Sequence, residues 1–238
     1  LTASGTGNQL IIGGVANLTY PADIPLIAGA NPSIAISPTA FDAGVQMPAG
    51  SGLTGTLSLS SSNTINIHII NRSPNNLVWR GPGNTADWDY TTKNWLDVNT
   101  GIMTNYDNPD IVSFDGTPGF ATNINIAGSS PLTPGALNMT NSTLHYTFLD
   151  GGNSIIGSPA LNKYGNGIVE VDGNTALSVQ LNEGALVGFG SIGGVSVATG
   201  AIMNFTGTIG GGVIASVTAT IGGTVAGLSL STPPTLWT

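Results

Sequence analysis

Ser191-Ile192-Gly193-Gly194 returns as Thr208-Ile209-Gly210-Gly211 and again as Thr220-Ile221-Gly222-Gly223, at spacings of 17 and 12 residues. The surrounding tail, Ala185 to Thr238, carries no charge, is broken every few residues by Gly, Ser or Thr, and shows no helical stripe. Glycine at each corner and a row of Ile, Val or Leu per repeat read as successive rungs of a solenoid. One rung cannot bury its apolar face alone, and the next rung stacked on it does so. The expected fold is therefore all-β: a parallel β-helix, or β-solenoid, with a Pro-rich irregular N-terminal stretch. The competing arrangement, tandem β-sandwich domains, wants denser aromatics and cleaner strand lengths.

Composition sets the limits around that reading. Of 238 residues, 35 are Gly, 7% are charged and none is Cys, while 40% are apolar, enough for a substantial core. The absent cysteine excludes a disulfide framework and thiolate metal sites. Four Lys plus Arg against twelve acids give a net charge of −8. Phosphate neutralisation needs clustered cations, so nucleic acid is excluded as a partner, and an anionic membrane surface on the same ground. No run of 18 apolar residues exists, so no membrane-inserting helix is expected.

Working outward to the N-terminal side, Pro21, Pro25, Pro32, Pro38 and Pro48 punctuate residues 19–50. Each fixes φ and removes a ladder donor, which predicts edge strands and surface loops. Strands are expected over Leu53 to Leu59 and Thr64 to Ile70. In the second of these Ile65, Ile67 and Ile69 share one face and Asn66 and His68 the other, which makes His68 a solvent-face histidine. Ile124 and Ile126, and then Leu144, Tyr146 and Phe148, alternate in the same way.

One block has individual chemistry. Trp79 to Gly116 holds three of the four tryptophans and six of the twelve acids, Asp87, Asp89, Asp97, Asp107, Asp110 and Asp115. Leu1-x-x-x-Gly5-x-Gly7 echoes in Leu161-x-x-x-Gly165-x-Gly167, and Leu77-Val78-Trp79 echoes in Leu236-Trp237, at offsets of 160 and 158 residues. Those echoes predict a tandem array. Residues 1–76 are the back half of one repeat unit, 77–234 a full unit (Trp-rich start 77–116, β-solenoid 117–234), and 235–238 the start of the next.

The ordered set Trp79, Trp88, Asn94-Trp95, Asp110-x-Val112-x-Phe114, Pro134-x-x-Leu137, Tyr146-x-Phe148, Ile155-Ile156-Gly157, Leu161-x-Lys163-x-Gly165-x-Gly167, Gly173-x-Thr175 and Glu183-Gly184-x-Leu186 resembles the autotransporter-associated β-strand repeat. The match covers about 110 residues in order. It departs at Ile168-Val169-Glu170-Val171 and at Ala176-Leu177-Ser178, where that family usually has other residues. The resemblance implies a parallel β-helix in a secreted or cell-surface bacterial protein, with no catalytic residues belonging to the repeat.

Candidate sites follow from the block. Asp107, Asp110 and Asp115 are the candidate calcium ligands, since hard cations take several carboxylate and carbonyl oxygens; the competing role is turn capping. Trp79, Trp88 and Trp95, with Trp237, mark the unit junction, either as core filling or as a glycan-stacking platform. The pairs Asp87/Asp89 and Asp107/Asp110 have the residue types of glycosidase carboxylates but no accompanying aromatic-lined cluster, and no Gly-x-Ser-x-Gly elbow occurs. The expected function is non-enzymatic: an extracellular, cell-surface structural protein that stacks head to tail with copies of itself into a fibre or sheath, with no cofactor apart from the calcium candidate. The alternatives are a surface adhesin or carbohydrate-binding passenger module and, last, a β-helix polysaccharide-degrading enzyme.

Overall fold

In a computed structural model of the chain, the described residues are 2–3, 8–15, 18–28, 35–36, 44–59, 64–82, 85–118, 121–157, 160–215, 220–222 and 228–230. All regular structure among them is strand, with no helix. Glycine, β-branched residues and asparagine all weaken helix together. The chain divides into two compact units, Leu1–Ser73 and Pro74–Thr238.

The first unit is organised on an antiparallel sheet. Thr64–Asn71 is its central strand, flanked by Ala22–Ala28 and Leu53–Leu59. Ile65, Ile67 and Ile69 are buried on one face, as their alternation predicts, and Leu53, Ile67 and Ile69 form a small core. His68 lies on the other face, partly exposed, with Nδ1 2.8 Å from Asp23 Oδ1. Pro25 sits in the edge strand Ala22–Ala28 and coincides with a register shift between Pro25 and Ile27, which is where a residue lacking an N–H is tolerated. The sequence reading makes residues 1–76 the back half of a repeat unit with a Pro-rich irregular stretch; the sheet built on Thr64–Asn71 is antiparallel. The first copy of the Leu-x-x-x-Gly-x-Gly phrase lies largely outside the described residues, as do Trp237 and all of 235–238.

The second unit alternates between two long sheets. Ile111–Phe114, Ala136–Met139, Leu161–Lys163, Val179–Leu181, Val195–Val197, Val213–Ala215 and Leu228–Leu230 are consecutive neighbours in a ten-stranded sheet. The intervening strands Asn123–Ile126, His145–Asp150, Ile168–Val171, Ala185–Gly188, Ile202–Phe205 and Thr220–Gly222 are neighbours in a seven-stranded one. Every pairing among these strands is parallel.

In-register pairing lines up like with like. Val112, Leu137, Leu161, Val179, Val195 and Val213 form one row, each at most 3% exposed. Tyr146, Val169, Leu186 and Met203 form another in the seven-stranded sheet. Each such buried side chain contributes about 1.5–3 kcal/mol of transfer free energy, and no single pass could bury its row without the next.

The glycine phrases separate in the structure. Ser191↔Thr208 and Ile192↔Ile209 pair in parallel as expected. The third copy does not join them: Thr220 and Ile221 pair with Ile202 and Met203 in the seven-stranded sheet. Successive strands of that sheet, starting at Ile168, Ala185 and Ile202, are 17 residues apart. A spacing of 12 therefore does not complete a pass and lands the phrase on a different sheet.

Candidate functional site

The Trp block begins the second unit. Asn76–Trp79 pairs in parallel with Ile111–Phe114 on one side and antiparallel with Trp95–Asp97 on the other, which in turn pairs antiparallel with the edge strand Met103–Thr104. Trp95 stands directly across from Trp79, and Trp88, on Asp87–Trp88, pairs with Ile126 in the seven-stranded sheet. All three indoles are 0% exposed. Their centroids lie 5.0 Å (Trp79–Trp95) and 5.1 Å (Trp88–Trp95) apart, edge to face, and Phe114 and Tyr106 lie against Trp88 at 5.7 and 5.6 Å. In this geometry the positive edge of one ring meets the negative face of the next. Trp79 Nε1 donates to the Ala121 carbonyl at 2.6 Å.

This corrects one expected role. A glycan-stacking platform needs an exposed ring face, and Trp79, Trp88 and Trp95 have none; they plug the start of the unit. Buried Asn94 holds the surrounding loop, donating from Nδ2 to the Thr85 and Asp87 carbonyls at 2.8 and 2.9 Å while its own carbonyl accepts the Arg80 and Gly81 N–H groups. Tyr106 donates to Asn108 Oδ1 at 2.6 Å, and burial pushes its phenol well above the usual range. Tyr90 is pushed up to about 12, chiefly by burial.

The aspartates of the block turn their oxygens to donors. Asp110, 1% exposed, accepts the Asn75 N–H at 2.7 Å and the Asp107 N–H at 3.0 Å. Asp107 accepts the Asn108 N–H at 2.9 Å. Asp115 accepts the Thr117 N–H at 2.9 Å and Arg80 Nη1 at 3.1 Å. Asp89 caps Thr91 and Thr92 in the same manner. These are the turn-capping patterns of short acidic side chains. Among the described residues no group of three or more His, Asp or Glu is arranged to hold a metal ion.

Sequence reasoning missed three features. On the outer face of the seven-stranded sheet, His145 Nε2 lies 2.9 Å from Glu170 Oε2, and Glu170 also accepts Thr147 Oγ1 at 3.2 Å. Asp172 follows two residues later on the same strand side, its carboxyl raised by burial and then by the Glu170 charge, with the Phe189 N–H and His145 opposing. A folded-state value above the unfolded one means that the native state binds the proton more tightly, so this carboxyl's contribution falls as pH rises from about the unfolded value into the raised range. Asp172→Asn is expected to raise the thermal midpoint at pH 7 slightly, by less than about 1 kcal/mol in stability, and to flatten the pH dependence of melting between pH 4 and 7; calorimetry over that range checks it.

The second missed feature is Lys163, 0% exposed on an otherwise apolar row between Met139 and Leu181. Its Nζ donates to the carbonyls of Tyr164 (2.9 Å) and Gly165, and burial lowers its ammonium to about 8 against the attraction of Glu183. The third is a polar groove of about 420 Å³ lined by Ser129, Pro131, Asp150, Asn153, Ser154 and Asn174. In the first unit an apolar hollow of about 310 Å³ lies between Ile12, Val15, Leu18, Ile24, Ile67 and Ile69. Comparison of the chain with family models, with curated proteins and with solved structures finds no match.

Proposed function

We propose that the second unit is a parallel β-helix of the kind the autotransporter-associated β-strand repeat implies. In this reading the protein is a non-enzymatic structural component of a bacterial cell surface that stacks head to tail with copies of itself. The observation that carries this reading is the outer side of the Trp plug. A solenoid cap that must stay monomeric presents a polar outer face, and natural sheet edges are guarded by charge. Here the edge strand Met103–Thr104 and the turn before it present Val98, Ile102 and Met103 at 56%, 65% and 38% exposure.

Strand direction supports the same reading. Two successive antiparallel pairings bring Met103–Thr104 back to the direction of Asn76–Trp79, which the strands of the ten-stranded sheet from Ile111–Phe114 to Leu228–Leu230 share. Among the described residues both outermost strands of the ten-stranded sheet therefore run the same way, so the Leu228–Leu230 side of one copy can continue the Met103–Thr104 side of another in parallel. Contacts between unlike ends that do not close by rotation give an open filament. Carbohydrate binding, the alternative, would have to use the groove at Asp150 and Asn153 rather than the indoles.

Negative-stain electron microscopy of the purified protein is expected to show fibres. Ile102→Lys combined with Met103→Lys places charge on the edge and is expected to leave separate particles with an unchanged circular dichroism spectrum. Monodisperse wild-type particles over the accessible concentration range would refute the stacking.

A further inference from the structure

Three consecutive passes of the chain meet at Gly165. Lys163 reaches it from its own strand, Nζ donating to the Gly165 carbonyl. Glu183, just beyond the next strand Val179–Leu181, accepts the Gly165 N–H at 2.7 Å. Asn141, just beyond the preceding strand Ala136–Met139, packs so closely that a Cβ on Gly165 would lie 2.2 Å from the Asn141 carbonyl oxygen, and one on Gly167 would lie 1.4 Å from Asn141 Oδ1. Asn141 is the anomaly of the group. It is 0% exposed, and neither Oδ1 nor Nδ2 has a hydrogen-bond partner among the described residues. A carboxamide so placed has given up its hydration for nothing, on the pass beside a buried ammonium that is itself costly to keep.

We propose that Lys163 and Asn141 are joined by an intramolecular isopeptide bond, with Glu183 as the proton carrier. Burial brings the Lys163 ammonium within reach of neutral pH, so the free amine that must act as nucleophile is populated without strong base. The amine nitrogen adds to Cγ of Asn141 and the Cγ–Nδ2 bond breaks. One proton passes from Nζ through the Glu183 carboxylate to Nδ2, which leaves as ammonia. Amine and primary amide become secondary amide and ammonia, with nothing oxidised or reduced. The product removes the buried charge and the unpaired Nδ2 group together and ties two adjacent passes covalently. It does not depend on whether copies stack.

The test is the intact mass of the full chain under denaturing conditions, followed by peptide mapping. A mass lower than the sequence by one ammonia, with a branched peptide joining Lys163 to Asn141, is expected; Asn141→Ala and Glu183→Gln are expected to restore the uncorrected mass for each variant sequence. A wild-type chain at full sequence mass, with Lys163 acetylated by reagent after unfolding, overturns the proposal. So does a lost ammonia that maps instead to a succinimide at Asn166-Gly167 with Lys163 free. The wild-type measurement decides by itself if the variants fail to fold.

Discussion

Trp88→Ala is expected to destabilise the second unit by about 3–5 kcal/mol, the range for emptying a large aromatic from a packed core. Trp88 is the hub of the plug: its ring lies within 6.4 Å of Trp95, Tyr106, Phe114 and Phe148, and its strand links the plug to the seven-stranded sheet through Ile126. Truncation removes the dispersion contacts of four rings at once, and the cavity cannot collapse because Trp79 and Trp95 are fixed by strand pairing on the other sheet. Trp88→Phe keeps an aromatic body and is expected to cost less than half as much. Urea unfolding followed by far-ultraviolet circular dichroism checks both; a loss under about 1 kcal/mol for the alanine variant would show that the rings merely coincide.

Gly184→Ala is the second large effect, with an expected loss of at least about 1–3 kcal/mol from backbone conformation alone. Gly184 has φ +74°, and a Cβ there would lie 2.4 Å from the Gly167 carbonyl oxygen and 2.5 Å from that of Gly165. Both obstacles are backbone of the neighbouring pass, so no rotamer change relieves them and the stack itself must open. Gly200 is the control: its φ is +82°, yet nothing lies within 4 Å of its would-be Cβ. Gly200→Ala is expected to carry only the conformational cost of about 1–2 kcal/mol. Comparing the two variants' denaturant midpoints separates the close approach from the left-handed conformation.

The alternation of strands was legible throughout, and their parallel direction only in the second unit. Ile65, Ile67 and Ile69 alternate as clearly as Ile124 and Ile126, yet the first set lies in an antiparallel sheet and the second in a parallel one. Side-chain period is 2 in both; direction is set by the connection. Leu59 to Thr64 is a short link that returns the chain antiparallel, whereas the 17 residues from Ile168 to Ala185 carry it around to pair in parallel. The burial of the three tryptophans was legible as one of two roles, because a large ring amid small polar residues either fills or presents, and only packing decides which.

Lys163 carries opposed signals: its spacing from Leu161 points inward and its charge outward. The structure resolves the conflict by giving its ammonium two carbonyls. The meeting of His145 with Glu170 depends on a cross-strand register between residues 25 apart, which no local pattern carries.

In-register pairing also explains the composition. Facing outward from the ten-stranded sheet, Ser113, Asn138, Asn162, Gln180 and Ser196 form a continuous ladder, with Asn162 Nδ2 3.4 Å from Asn138 Oδ1. Strands in such a sheet are about 4.8 Å apart, so a carboxylate repeated along that ladder would sit between two others at contact range and repel both. Amides and hydroxyls can repeat indefinitely, each donating to one neighbour and accepting from the other. A surface built by translation thus selects side chains that tolerate their own image, and a chain with 7% charged residues meets that condition.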